Sequence, residues 1–218
     1  MKNSQGLALL LTLAVFCLLG TSRALAADPQ RLSFTKVFPG SSPAYVSITV
    51  ERTGTVAYKE ALDEDPETFQ LEEDFTATIF DLAEKLNHFK NPLESGLKVA
   101  NMGQKTLRWE SGAEKHEAKF NYSLDENARL LQDWFERIGE SERLFATLRR
   151  AARYDKLGVN DAVLKIEIAL NQKRLVGVEQ FLPLLDRVAK NDTYLHMARD
   201  RAERLADTFR TTAKPKTP

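Results

Sequence analysis

Three histidines, His88, His116 and His196, are the residues best suited to proton transfer or metal binding near neutral pH. They lie far apart, and no two have a His-x-x-x-His spacing that would place a pair of ligands on one helix face. A zinc centre needs three or four converging ligands. His88 and His196 therefore read as structural or solvated side chains, the first near a helix end and the second beside a buried helix line. Asp63, Asp65 and Glu67 alternate in the manner of calcium ligands. An EF-hand loop requires glycine at its sixth position and a closing glutamate at its twelfth. Counted from Asp63, those positions hold Thr68 and Asp74, and Pro66 stiffens the middle, so the run reads as a solvated acidic loop. Ser41, Ser42 and Ser111 sit in turn sequences without the Gly-x-Ser-x-Gly setting of a nucleophile elbow. No glycine-rich loop is arranged to cradle a phosphate.

Basic residues form two groups. Arg149, Arg150, Arg153 and Lys156 gather at a helix end, where positive charge complements the exposed carbonyls. Arg199, Arg201, Arg204 and Arg210 alternate with Asp200, Glu203 and Asp207, the mixed-sign pattern of a solvated helix face. The residues thus assign no catalytic position, no cofactor and no metal.

The first 26 residues have the layout of a secretory signal peptide. Lys2 opens a weakly basic segment, Leu7 to Leu19 is almost continuously apolar, and small residues lead to Ala24-Leu25-Ala26. The run is shorter than the roughly 20 apolar residues that span a bilayer. Cleavage is expected after Ala26. It would remove Cys17, the only cysteine, and with it any thiol chemistry or disulfide. The chain carries 31 basic and 31 acidic residues. Loss of Lys2 and Arg23 leaves a slight acidic excess. Such a balance supplies no global field for nucleic acid or anionic membrane.

Behind the leader, residues 27–122 read as an α+β sheet domain. Val46, Ile48 and Val50 alternate with Tyr45, Ser47 and Thr49, Thr53-Gly54 supplies a turn, and Val56 and Tyr58 resume the alternation. Gly54 is expected at positive φ. Leu32 to Val37 reads as a further strand. An acidic link from Glu60 to Asp74 leads to a helix whose Phe75, Ile79, Leu82, Leu86 and Phe89 share one stripe, with Asn91-Pro92 as its stop. A second hairpin is expected over Lys105 to Tyr122, with Ser111-Gly112 in its connection.

Residues 123–210 read as helical. Ser123 and Glu126 frame a capping box. Leu131, Trp134, Phe135, Ile138, Phe145, Leu148 and Ala152 continue one stripe, with Gly139 as a possible break. Leu157-Gly158 ends it, and Asn160-Asp161 caps the next helix, from Ala162 to Gln172. Two more helices are expected, Phe181 to Lys190 and Thr193 to Arg210; the latter buries Leu195, Ala198, Ala202, Leu205 and Phe209. Residues 211–218 read as a disordered tail. The expected fold class is α+β: a small antiparallel sheet of hairpins packed on one helix, followed by an all-helical C-terminal part.

Two resemblances accompany these residues. Leu182-Pro183, Leu185, Val188, Asn191-Asp192, Ala198-Arg199, Ala202 and Leu205 resemble one HEAT-type repeat. The resemblance implies a stacked helix pair in which Asp192 and Arg199 bond between neighbouring turns. Pro43-Ala44-Tyr45 to Val50, Thr53-Gly54-Thr55-Val56-Ala57-Tyr58 and Asn101-Met102-Gly103 are similar to an uncharacterised family of bacterial exported proteins. That likeness implies a hairpin-rich domain and an exported location, and no chemistry. Taken together, the expectation is an exported, periplasmic or extracellular, non-enzymatic protein that binds or scaffolds another envelope protein. No nucleic-acid partner, no cofactor and no stable membrane insertion after cleavage are expected. A periplasmic hydrolase whose site assembles only in the fold is the alternative, and a pocket for an apolar ligand a third.

Overall fold

A computed structural model describes residues 30–213. The expected signal peptide and the last five residues of the tail lie outside the described residues. Six antiparallel strands form one sheet: β1 (Arg31–Val37), β2 (Tyr45–Glu51), β3 (Thr55–Lys59), β4 (Glu67–Gln70), β5 (Gln104–Ser111) and β6 (Glu114–Phe120), in the order β4-β3-β2-β1-β5-β6. The helices are α1 (Glu73–Lys85), α2 (Glu126–Tyr154), α3 (Val159–Asn171), α4 (Leu182–Lys190) and α5 (His196–Ala213). The class is α+β, with the helical part C-terminal to the sheet.

Alternation along the strands puts one face of the sheet in the core. Leu32, Phe34, Ile48, Val50, Val56, Leu107, Trp109 and Phe120 are all buried on it. Helix α1 contributes Ile79, Phe80, Leu82 and Ala83 to the same core, and the first half of α2 adds Leu131, Phe135 and Ile138. Phe34 stacks on Phe135 with ring centroids 5.1 Å apart. Gly139 does not divide α2. A Cβ there would stand 3.5 Å from Tyr58 and 3.9 Å from Ile48, so the glycine allows the helix to approach the sheet closely. A second core gathers Leu148 and Ala151 of α2 with α3, α4 and α5. Helix α2 thus serves both cores.

Several local expectations are corrected. The acidic link contains β4, which pairs with β3 and buries Phe69; Leu71 is buried just beyond it. Phe69 and Leu71 alternate for a single step behind an acidic run, too short a signal to mark a strand, and the pairing comes from β3. The turn before it behaves as expected, with Gly54 at φ 87°. Helix α1 ends at Lys85 and not at Asn91-Pro92. Asn87, His88 and Phe89 adopt left-handed backbone, which breaks the α-helical ladder while still burying Phe89. Phe75 is only half-buried, packed on Trp134 at 5.0 Å.

The cap of α2 is Asp125, whose Oδ1 accepts from Asn127 N (2.8 Å) and Ala128 N (3.2 Å). Ser123 Oγ accepts from Asp125 N instead, and Glu126 is the first helical residue. The carboxylate wins because it reaches two orphan amides at once. Helix α2 stops at Tyr154, and α3 starts at Val159, ahead of Asn160-Asp161. Helix α5 starts at His196 and runs through Thr211 to Ala213, where a tail was expected. Leu195 precedes it and is 49% exposed.

Candidate functional site

The histidines do not converge. His88 stacks on Trp109 with ring centroids 4.2 Å apart. His116 Nε2 lies 2.9 Å from Glu114 Oε1, and His196 Nδ1 lies 3.1 Å from Asp200 Oδ1. Among the described residues, no three His, Cys, Asp or Glu side chains come together as a metal set. Glu67 leaves the acidic run to pair with Arg149 at 2.7 Å, and that bond lowers its pKa. Ser41 Oγ stands 2.7 Å from Phe38 O and 2.6 Å from Pro43 O, a turn contact. Asp192 is exposed, and no Asp192–Arg199 bond occurs among the described residues; Arg199 Nε is buried without a partner. Arg201 ties α5 to α3 through Glu167 Oε2 and Asn160 Oδ1, both at 2.8 Å. Arg210 pairs with Asp186 and Asp207.

Two buried ionisable groups escaped the reading of the sequence. Lys105, 2% exposed, occupies a core-facing position of β5. Its Nζ donates to Asn121 O (2.7 Å) and Gly103 O (3.4 Å). Burial lowers its pKa, and nearby Lys36 adds to the shift. It fastens the end of β6 to the segment before β5. Its signal was a lysine opening the alternation Lys105, Leu107, Trp109. Glu142, 4% exposed, interrupts the α2 stripe between Ile138 and Phe145. Burial raises its pKa to about 7, partly opposed by a hydrogen bond from Gln180 Nε2. Next to it Ser141 Oγ accepts from Val176 N (3.0 Å), and Glu72 accepts from Gly177 N (2.8 Å) and Val178 N (3.0 Å). These contacts lock the turn before α4 onto α1 and α2.

An unpaired strand edge and a group of exposed apolar side chains meet at one side of the sheet. β6 is a terminal strand, and no backbone hydrogen bond other than those to β5 reaches residues 114–120 among the described residues. Glu117 is engaged by Arg108 (2.7 Å) and Lys119 (3.2 Å) on the solvent face. Beyond β6, Asn121 anchors a long irregular segment, residues 91–103. Its side chain accepts from Met102 N (2.8 Å) and donates to Ala100 O (3.0 Å), while its N–H donates to Glu94 Oε2 (2.6 Å). The segment displays Leu97 (53% exposed), Val99 (40%) and Met102 (41%). A groove of about 280 Å³ runs beside it, lined by Lys85, Glu94, Ser95, Ser123, Leu124 and Asp125 among others. Its carboxylates are already committed: Glu94 to the amides of Asn121 and Ser95, Asp125 to the first turn of α2. The Asn121 bond, with help from Ser95, lowers the Glu94 pKa.

Compared with protein-family models, with curated proteins and with solved structures, the chain gives no match. The two resemblances therefore rest on their quoted residues alone.

Proposed function

We propose that the protein is an exported, non-enzymatic binding module that takes an extended segment of another envelope protein along β6. The observation that carries this reading is the unpaired outer edge of β6 ending at an apolar display, Leu97, Val99 and Met102. An open edge offers main-chain hydrogen bonds to an added strand, and neighbouring apolar side chains give such a strand specificity. Exposed apolar groupings and long loops without regular structure both mark interaction surfaces. A hydrolase is less well supported, because the carboxylates of the adjoining groove act as acceptors for backbone amides and no histidine lines it.

A photo-crosslinking side chain at position 119, used in envelope preparations, should give one discrete adduct. The same group at position 68, on the opposite edge strand, should not. The triple substitution Leu97→Asp, Val99→Asp, Met102→Asp should abolish the adduct without moving the thermal melt. Equal crosslinking from both edges, or an adduct indifferent to the triple substitution, would refute the reading.

A further inference from the structure

The C-terminal ends of α2 and α4 flank an open cleft of about 540 Å³. Four cations line it: Arg149, Arg153 and Lys156 from the α2 side and Arg187 from α4. Asn191 and Tyr194 complete the polar lining, and no Asp or Glu is part of it. Asp155, which precedes Lys156, turns its Oδ1 onto Gly158 N (3.0 Å).

The ordinary explanation for such cations is that they neutralise helix C-termini. A charge count decides against it as a full account. Each helix end carries about half a negative charge, so two ends offset about one cation. Arg149 is offset by Glu67 at 2.7 Å. Arg153, Lys156 and Arg187 form no ion pair among the described residues. A surplus of about two positive charges is left facing the cleft.

The cleft is also braced. Tyr194, 7% exposed, donates its hydroxyl to Ala152 O (2.9 Å) and so pins the α4–α5 turn to the last turn of α2. That bond satisfies one of the orphan carbonyls of the helix end. Asn191 Oδ1 accepts from Thr193 N (3.0 Å), which leaves its amide N–H groups for a ligand. The volume falls in the range of about 300–1,000 Å³ found for small-molecule sites, larger than one small anion requires. Donors stand on two walls, Arg153 and Lys156 on one, Arg187 and Asn191 on the other. Arginine forks match phosphoryl oxygens in a two-pronged geometry.

We propose that this cleft binds a ligand carrying two linked phosphoryl groups, one against each wall. The site lies apart from β6 and stands independently of the strand-docking reading. The chemistry is that of a diphosphate, whether a soluble diphosphate ester or the headgroup of a diphosphate lipid.

Isothermal titration of the purified chain with inorganic pyrophosphate tests it. One-to-one binding at least tenfold tighter than that of inorganic phosphate is expected. Arg153→Glu and Arg187→Glu should each weaken it at least tenfold. Arg150→Glu, an adjacent exposed cation outside the cleft, should change it less than twofold. Thermal melts establish that each variant is folded; if a glutamate variant is not, Arg153→Gln and Lys156→Gln replace it, with at least threefold weakening expected. Sedimentation with vesicles containing a diphosphate lipid, and not with phosphatidylglycerol vesicles, would assign a lipid source. Pyrophosphate binding without sedimentation would assign a soluble one. Absence of pyrophosphate binding, phosphate binding of equal strength, or equal losses from Arg150→Glu and Arg153→Glu would each overturn the proposal.

Discussion

Along β6, alternate residues turn their N–H and C=O groups away from β5, and none of these meets another protein group among the described residues. At the end of α2 two carbonyls are taken: Ala151 O receives the Asp155 amide and Ala152 O the Tyr194 hydroxyl. A sheet edge can therefore offer main-chain donors and acceptors to a partner, whereas the cleft at the end of α2 meets one with cationic side chains. The β6 edge carries free backbone beside Leu97, Val99 and Met102, and the cleft at the ends of α2 and α4 carries cations. Yet the two halves are not mechanically separate, because α2 runs through both cores and Glu72 reaches from the start of α1 to the turn before α4.

The largest expected effect tests that coupling. Leu82→Asp places an unpaired charge in the sheet core, and Leu185→Asp does the same in the helical core. Each should cost more than about 3 kcal/mol, a large part of a domain's total of about 5–15 kcal/mol. Both tryptophans, Trp109 and Trp134, belong to or pack on the sheet core, so fluorescence reports that half while far-ultraviolet circular dichroism is dominated by helices. With α2 shared, both probes should shift together in urea for either variant. A Leu185→Asp protein whose circular dichroism alone shifts would show two independent units.

Gly177→Ala comes next. Gly177 has φ 62°, and an added Cβ would stand 2.5 Å from the Phe69 ring, between the two halves. A loss of about 2–3 kcal/mol in urea unfolding is expected. A loss below about 0.5 kcal/mol would mean that this junction yields freely.

Glu142→Gln probes the same junction by pH. The folded protein holds this carboxyl at about 7 against an ordinary 4.5, so it binds more protons than the unfolded chain between those values. Its contribution is fully present below pH 4.5 and is lost as pH rises through 7. The variant should match the wild type near pH 4.5 and exceed it at pH 8 by up to roughly 3 kcal/mol. A constant difference across that range would contradict the assignment. The smallest effect belongs to Asp125→Ala, about 1 kcal/mol from the lost cap, measured by thermal or urea unfolding. No loss would mean that water or Ser123 replaces the carboxylate at no cost.

Much of the architecture could be read from periodicity. Alternation revealed β1 to β3, β5 and β6, and the 3.6-residue stripe revealed α1 and the shared helix α2. β4 was hidden because its residues are mostly polar and its reason for being a strand is the free edge of β3. Leu195 illustrates the opposite error: its spacing fits the α5 stripe, but the helix begins one residue later and leaves it outside. Of the basic cleft, the α2 cations were legible as a group at a helix end. Arg187 was not, since nothing local says that the ends of α2 and α4 meet.

The chain by itself determined which residues are apolar at helical or strand spacing, where glycine must turn the backbone, and that the charges nearly cancel. Those are local properties, set by side-chain volume, conformational preference and ionisation. Tertiary structure decided which strands became edges, that Glu142 and Lys105 would be buried, and that cations from two separate helices would face one cleft. Such features depend on distances between segments remote in sequence, and only the packing of α2 against both cores brings those segments together.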